Sequence, residues 1–126
     1  MVLLNQKEER EMLFIWYPKC STCQKARKWL AEHHIEVEER HIKDNNPTPE
    51  EIRRWHERSG LPLQKFFNTS GTLYRQMHLS EKLPQMSEQA KIELLASDGM
   101  LVKRPLIIDG DTVIVGFREK EYEKLL

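Results

Sequence analysis

The sequence lacks any long apolar run and any excess of charge of one sign. Its longest uninterrupted apolar stretches are a handful of residues, far short of the roughly 20 that a membrane-spanning helix needs. Lys plus Arg and Asp plus Glu number 20 each, so no overall field favours nucleic acid or an anionic membrane surface. The start, "MVLLNQKEEREML", lacks the apolar core of about 7–15 residues that a signal peptide has. We therefore expect a cytoplasmic protein with no membrane partner and no direct nucleic-acid partner.

Cysteine is also scarce, because Cys20 and Cys23 are the only two in 126 residues. They lie three positions apart in "YPKCSTCQKARKWL", just after an apolar run. In a reducing compartment, two cysteines this close are rarely a structural staple. The stretch is compatible with a redox dithiol, half of a metal site, an arsenate-type thiol centre or a coincidence.

The length of the chain supports one domain with one core. Residues 1–11 are largely charged, whereas a strand-like apolar run begins abruptly at Met12. We expect residues 1–11 to be a flexible extension, or a segment that precedes the native start, since chain termini are commonly poorly ordered. Residues 12–126 are then the single folded domain.

The hydrophobic pattern predicts alternating strands and helices. A continuous apolar run is typical of a strand buried on both faces, and apolar residues three and four apart are typical of an amphipathic helix. In chain order, the pattern predicts a strand at 12–17, a helix at 21–34, a strand at 35–42, a helix at 49–59, short helical pieces at 61–83, a helix at 87–99, two strands joined by Gly110 and Asp111, and a final amphipathic helix. This order predicts an α/β protein of thioredoxin type with a mixed sheet, in which a helical insertion at about 47–99 separates the second and third core strands.

One predicted helix has well-marked ends. Thr48 is a candidate N-cap, Pro49 occupies the first helical position and Glu51 the third. Gly60 is placed to end the helix. In the helix at 87–99, Gly99 is expected to play the same part.

The strand–loop–helix context favours a reactive Cys20. A thiol attacks only as its thiolate, and a free cysteine with a pKa of about 8.5 is mostly protonated at neutral pH. The unpaired amides and the positive dipole end of a helix favour an anion at its N-terminus. The candidate cations nearby are Lys19, Lys25, Arg27 and Arg104. We expect Cys20 to be the exposed attacking thiol and Cys23, on the inward face one turn along, to be the sheltered resolving thiol.

Metal binding and inert cysteines are the alternatives to a redox dithiol. A single CxxC supplies only half of a tetrahedral zinc site, and the five histidines show no spacing that completes it. The sequence therefore predicts no metal and no cofactor. Free cysteine also serves as a small buried apolar residue. A phosphatase-type Cys-x5-Arg loop is excluded, because the sixth position after Cys20 is Ala26.

Three segments of the chain resemble the arsenate-reductase-like (ArsC-like) proteins, in particular their Spx and MgsR branch. They are "WYPKCSTCQKARKWL", "KFFNTSGTLYRQ" and "LLASDGMLVKRPLIIDG" with the later "VGF". The resemblance runs in order from about Leu13 to the C-terminus. Its most specific parts are the strand–Cys–helix start and the pattern M-L-x-x-R-P-x-I-x-x-G from Met100 to Gly110. It implies a thioredoxin-like core with a helical insertion.

The resemblance also implies roles for individual residues. Cys20 matches the cysteine with which the family's arsenate reductases attack the oxyanion, and Arg104 matches the arginine that binds the anion near that thiol. The Arg104–Pro105 bond resembles the cis-proline bond that faces the active thiol in this fold. Ser21 and Thr22, in the first turn after Cys20, and Pro105 are predicted to line the substrate or anion site.

The chain departs from the family pattern at Asn68. Arsenate reductases of the family have an arginine at the start of an R-T-K segment, where this chain reads "NTS". An arginine–anion pair contributes about 1.5–3 kcal/mol when partly buried, so its loss weakens oxyanion binding roughly ten- to a hundredfold. Asn68 remains a predicted anion-binding residue, because its amide still donates a hydrogen bond. The single-cysteine enzymes also do not need Cys23, so both departures favour thiol–disulfide chemistry.

Two functions of different classes follow. The first is a thiol–disulfide oxidoreductase that acts on a small thiol, oxyanion or disulfide and is reset by a thioredoxin or glutaredoxin system; arsenate reduction is weakened. The second is a redox-sensing regulator that binds the α subunit of RNA polymerase, as the resemblance to Spx implies. The regulators extend further beyond the final helix, and Gly60, the candidate for their polymerase-contacting glycine, is also explained as a helix C-cap. We favour the oxidoreductase.

Overall fold

A computed structural model describes residues 12–126 of the chain. The extension expected at residues 1–11 lies outside the described residues. The described chain divides into two compact units. The first unit comprises residues 12–40 and 104–126, and the second comprises His41–Lys103.

Four short strands form a mixed sheet with the order β2–β1–β3–β4. The strands are β1 Leu13–Trp16, β2 Glu38–His41, β3 Leu106–Asp109 and β4 Thr112–Val115. β3 pairs antiparallel with both β1 and β4, and Phe14 stands opposite Ile107. Both Phe14 and its neighbour Ile15 are fully buried. The prediction of a first strand buried on both faces is confirmed.

The second strand is shorter than the predicted span of 35–42. It begins at Glu38, whose amide donates to the Met12 carbonyl at 2.7 Å. Ile35 and Val37 precede the strand and pack, half-buried, against the core of the first unit. The alternation of apolar and charged residues at 35–42 therefore arises partly from packing against the core and only partly from strand pairing.

Six α-helices lie within residues 12–126. They are α1 Ser21–Glu32, α2 Pro49–Ser59, α3 Thr72–Gln76, α4 Leu79–Lys82, α5 Glu88–Ser97 and α6 Glu119–Tyr122. Single 3-10 turns lie at Leu63–Phe66, Leu83–Gln85, Gly99–Leu101 and Glu123–Leu125. The predicted order of strands and helices, including the hairpin turn at Gly110 and Asp111, is confirmed. No helix in this part of the chain is both long and apolar enough to cross a membrane.

Helix α2 begins and ends as its sequence predicts. The Thr48 hydroxyl accepts a hydrogen bond from the Glu51 amide at 3.1 Å, and the Glu51 carboxylate accepts one from the Thr48 amide at 3.0 Å. Pro49 occupies the first helical position, where its missing N–H costs nothing. Gly60 ends the helix with a left-handed φ of 68°.

The prediction that Gly99 ends the next capped helix is wrong. Helix α5 ends at Ser97, and Asp98 is extended, with its side chain accepting from the Met100 amide at 2.9 Å. Gly99 instead begins the following 3-10 turn. The carbonyl oxygen of Ile42 lies where a side chain at position 99 would place its Cβ. A close backbone approach within the second unit, and not a helix stop, therefore requires this glycine.

The core of the first unit lies between α1, the sheet and α6. Its buried members are Met12, Phe14, Ala26, Trp29, Leu30, Ile107, Ile114 and Tyr122. The Tyr122 ring meets Trp29 edge-on at 5.4 Å between ring centroids. Burying side chains of this size stabilises the unit by about 1.5–3 kcal/mol each. The same inner face of α1 carries Cys23, so the core packing also orients the dithiol.

Candidate dithiol site

The loop between β1 and α1 positions Cys20 at the start of the helix. The Cys20 amide donates to the Tyr17 carbonyl at 3.0 Å, which closes a β-turn with Pro18 in its second position. The Gln24 side chain donates to the Pro18 carbonyl at 2.6 Å, and the Gln24 amide donates to the Cys20 carbonyl at 3.1 Å. Cys20 is thereby the N-cap residue of α1. The turn and the helix hold it from both sides.

Cys20 is half-buried, and its surroundings lower the pKa of its thiol. Partial burial by itself raises the pKa of Cys20, but the amide and thiol of Cys23, the Arg104 charge and the Thr22 amide each lower it, and the net pKa shift is downward. The Cys20 side chain forms no side-chain cap of α1. The first turn of α1 also contains no acidic residue that would oppose a negative charge.

The surroundings of Cys23 shift the pKa of its thiol in the opposite direction. It is fully buried on the inner face of α1. Burial raises the pKa of the Cys23 thiol to about 12, and the hydrogen bond and charge of the neighbouring Cys20 add to the rise. The Tyr17 amide and the Arg104 charge oppose it. The structure therefore pairs a half-buried thiol whose pKa is lowered with a fully buried thiol whose pKa is raised.

Arg104 belongs to the same unit as both cysteines and acts on each through its charge. Its guanidinium carbon lies 5.3 Å from the centroid of the Tyr17 ring, a cation–π contact. The Arg104–Pro105 peptide bond is cis. Pro105 is buried, and its carbonyl accepts from the Gly116 amide at 2.8 Å. The turn that follows β4 therefore holds the segment bearing Arg104.

The remaining predicted residues of the first unit lie around the helix start. Ser21 and Thr22 are the first two residues of α1 and are exposed. Arg27, by contrast, is engaged elsewhere: it pairs with Glu39 at 2.8 Å and stacks over the Trp16 ring at 4.9 Å.

Asn68 belongs to the second unit. Its side chain is only 9% exposed. The amide group of that side chain lies 2.6 Å from the place where a Cβ on residue 71 would stand, which the native Gly71 leaves open. The Asn68 carboxamide oxygen accepts from the Ser70 hydroxyl at 3.4 Å. Asn68 is thus packed into its own turn and brings no positive charge.

Two tyrosines that were not predicted belong to the surroundings of the dithiol. Tyr17 supplies an amide to Cys23 and an aromatic face to Arg104. Tyr122 is fully buried, and burial together with the Cys23 charge raises its pKa. A signal existed for Tyr122, since it is the one aromatic residue in the charged final segment "REKEYEKLL". Within residues 12–126, no three His, Cys, Asp or Glu side chains gather as metal ligands would.

Comparison with known proteins places this geometry in a family. The model of the ArsC family matches residues 15–125. The uncharacterised protein YusI of Bacillus subtilis is 57% identical over 113 residues, which are 90% of this chain and 96% of YusI. A crystal structure of an ArsC family related protein from Bacteroides fragilis has a TM-score of 0.91 and 55% identity, covering 92% of this chain and 98% of the other.

Two proteins with regulatory names are more distant relatives. The regulatory protein MgsR of Bacillus subtilis is 28% identical over 93% of this chain and 91% of its own. The global transcriptional regulator Spx of Enterococcus faecalis is 29% identical over 86% of this chain and 81% of its own. Because the family model covers nearly all of the described residues and the fold agrees throughout, this thioredoxin-like chain, with its Cys20–Cys23 pair at the start of α1, belongs to the ArsC family and has MgsR and Spx among its relatives.

Proposed function

We propose that this protein is a thiol–disulfide oxidoreductase that works through the Cys20–Cys23 pair. The observation that carries the proposal is the placement of Cys20, half-buried, at the start of α1 and of Cys23, fully buried, one turn along, an arrangement that lowers the Cys20 pKa and raises the Cys23 pKa. An attacking cysteine must be ionised and accessible before substrate arrives, whereas a resolving cysteine must stay protonated until it is needed. The N-cap position and the Arg104 charge supply the first condition, and burial supplies the second.

In the first step, the Cys20 thiolate attacks one sulfur of a substrate disulfide. The substrate S–S bond breaks and a Cys20–substrate disulfide forms. The other half of the substrate leaves as a thiolate and takes a proton from solvent. Arg104 and the amides of Thr22 and Cys23 hold the attacking thiolate in place beforehand.

In the second step, Cys23 attacks the Cys20 sulfur of the mixed disulfide. Once Cys20 is covalently bound, its negative charge is gone, and with it two causes that raise the Cys23 pKa. Cys23 can then lose its proton to solvent and form the Cys20–Cys23 bond, releasing the second substrate thiolate. Two electrons have passed from the dithiol to the substrate. A reducing partner of the thioredoxin or glutaredoxin class restores both thiols by the reverse exchange.

Arsenate reduction is the weaker activity in this proposal. Asn68 supplies no charge, and its side chain is packed against Gly71. Oxyanion affinity is therefore expected to be roughly ten- to a hundredfold below that of a site with an arginine there. Arsenate turnover coupled separately to thioredoxin and to glutathione–glutaredoxin measures this. Turnover that survives Cys23→Ser would favour an arsenate reductase over a dithiol enzyme.

The main experiment follows thiol release from the chromogenic disulfide dithiobis(nitrobenzoate). The reduced wild-type protein should release one thionitrobenzoate rapidly and a second in a slower step that does not depend on reagent concentration. Cys23→Ser should release only the first, because its mixed disulfide has no resolving thiol. Cys20→Ser should react slowly, through a buried thiol alone. If alkylation by iodoacetamide gives Cys20 an ordinary pKa and peroxide produces no intramolecular disulfide, the proposal is wrong.

A second candidate function is a redox-sensing transcription regulator. The similarity to MgsR and Spx along most of the chain favours it. In this case the Cys20–Cys23 disulfide is a switch, and the partner is the α subunit of RNA polymerase. A pull-down with the C-terminal domain of that subunit, before and after peroxide, tests it, with Cys23→Ser as the variant that cannot close the disulfide. Oxidant-dependent capture by the wild type alone would support the regulator, and no capture in either state would exclude it.

A further inference from the structure

Gln24 makes a hydrogen bond that its exposed position does not require. It lies on the exposed face of α1, yet its side-chain amide donates to the Pro18 carbonyl at 2.6 Å. Because this bond is exposed, water can satisfy both groups, and such a bond adds little to the free energy of unfolding. Ordering the glutamine side chain also costs rotamer freedom. The bond therefore matters chiefly for the geometry of the segment that it holds.

The segment held in this way is the turn that carries Cys20. Pro18 and Lys19 are its two central residues, and both are exposed. The Cys20 amide closes the turn by donating to the Tyr17 carbonyl at 3.0 Å. Gln24 adds a further tie through its own backbone amide, which donates to the Cys20 carbonyl at 3.1 Å. One residue of α1 thus bonds to two carbonyls of this segment, one on each side of Lys19.

We propose that Gln24 is a positioning residue for the dithiol, its side-chain amide fixing the Pro18 carbonyl so that the Cys20 sulfur stays at the start of α1, within reach of Cys23, through both exchange steps. The inference rests on the proposed function, since the two steps are those of that reaction. Gln24 exchanges no proton and no electron in either step. Its effect is geometric, because the rate at which two groups of one molecule react depends on how well they are oriented.

The second exchange step depends most strongly on this hold. Cys23 is fully buried on the inner face of α1, where the core fixes it. Cys20 lies at the N-cap, and after the first step it carries a bulky substrate next to an exposed turn. Cys23 must then attack the Cys20 sulfur along the line of the bond that breaks. A turn that shifts relative to α1 loses this alignment.

The same turn also sets the surroundings of the Cys20 thiolate. Tyr17, at its first position, contacts the Arg104 guanidinium through its ring at 5.3 Å. The Arg104 charge and the amides of Thr22 and Cys23 lower the pKa of Cys20, and each of these effects depends on where the sulfur lies. A looser turn should therefore raise the pKa of Cys20 toward its ordinary value. A loss of stability alone would not produce that change.

The test is Gln24→Met, which keeps the length of the side chain, adds no charge and removes the donor. With dithiobis(nitrobenzoate) in a stopped-flow instrument, the first release reports Cys20 and the second reports Cys23. The second release should slow about three- to tenfold, because orientation governs it. The pH midpoint of Cys20 alkylation by iodoacetamide should move upward. Gln24→Lys keeps a donor at this position and should recover most of the second-release rate.

Gln89→Met is the matched control. Gln89 is an exposed glutamine of α5, in the second unit, and its side-chain amide donates to Glu93 at 2.9 Å. This variant should leave both releases and the alkylation midpoint unchanged. If Gln24→Met keeps the wild-type second release or the wild-type midpoint, or if Gln24→Lys does not recover the lost rate, the inference is overturned, while the proposed function stands. If the wild type itself never releases a second equivalent, Cys23 does not resolve and both proposals fail.

Discussion

The first turns of helices α1 and α2 solve the same physical problem in opposite ways. Both helices leave unpaired amides and a partial positive charge at their N-termini. At α2, the side chains of Thr48 and Glu51 satisfy the amides, and Glu50 and Glu51 complement the dipole. At α1, Cys20 makes no side-chain cap, and no acidic residue lies in the first turn. The start of α2 is closed by a capping box, whereas the start of α1 has no side-chain cap.

This difference indicates how the start of α1 acts on the pKa of Cys20. The positive end of a helix stabilises whichever negative group lies nearest, and its effect is confined to the first turn. At α2 that group is a permanent carboxylate. At α1 it is a thiol, whose ionisation the helix and Arg104 promote. Four substitutions test this contrast, and they are given in order of decreasing expected effect.

Cys20→Ser should have the largest effect, because it makes the start of α1 resemble that of α2. Serine is a good N-cap but a poor nucleophile, so only the slow reaction of the buried Cys23 should remain, while the free energy of unfolding rises by about 0.5–1 kcal/mol. Thionitrobenzoate release and urea unfolding measure the two effects. Cys23→Ser, which keeps the first exchange step, is the control. A Cys20→Ser protein that is both inactive and less stable would contradict the view that α1 has an unfilled cap.

Arg104→Gln removes the cation that acts on both thiols. The Cys20 pKa is below its ordinary value partly because of this charge, so its loss should raise the pKa and shift the midpoint of iodoacetamide alkylation to higher pH. At neutral pH, alkylation should slow about three- to tenfold. Arg104→Lys retains a charge and should lose less. If the midpoint is unchanged in the glutamine variant, the charge of Arg104 does not contribute, and the helix amides alone lower the Cys20 pKa.

Thr48→Ala removes the side-chain cap at the start of α2. It removes the hydroxyl that accepts from the Glu51 amide, and the free energy of unfolding should fall by about 1 kcal/mol. Thr48→Ser keeps a capping hydroxyl and should lose little. Urea unfolding measures both variants. The alkylation rate of Cys20 should stay at the wild-type value, and a change in it would show that the two helix starts are not independent.

Thr22→Glu places an acid in the first turn of α1 and should have the smallest effect. The carboxylate competes with the Cys20 thiolate for the helix dipole, so alkylation at neutral pH should slow about twofold. Because Thr22 is exposed, high salt should reduce the difference. Thr22→Gln is the uncharged control of the same size. A glutamate variant that reacts as fast as the glutamine variant, at low salt, would exclude competition for the dipole.

Local signals in the sequence predicted the secondary structure well, and non-local contacts explain the errors. The ends of α2 follow from residues within one turn of each other, so Thr48 and Gly60 were readable directly. Gly99 was misread as a helix stop, because the reason for that glycine is the carbonyl of Ile42, far away along the chain. The late start of β2 has a similar cause, since pairing with β1 and not side-chain pattern sets its bounds.

The residues of the candidate site also divide into those that local sequence signals predict and those that depend on contacts far along the chain. The spacing of Cys20 and Cys23 after an apolar strand predicted a thiol at a helix start with a second thiol on the inner face, and the family resemblance drew attention to Arg104. Tyr122 was missed because nothing in its own segment indicates which part of the core it meets. Tyr17 was missed because its contributions are a backbone amide and a ring face, which sequence patterns do not reveal.

The sequence alone was enough to place Cys20 at a helix start and Cys23 one turn later, because helix starts are set by hydrogen bonds between near neighbours. Only the tertiary structure decided how differently the two thiols ionise. Burial and charge act through space, and the fold brings Arg104 and Tyr122 from the C-terminal part of the chain into electrostatic reach of the N-terminal dithiol.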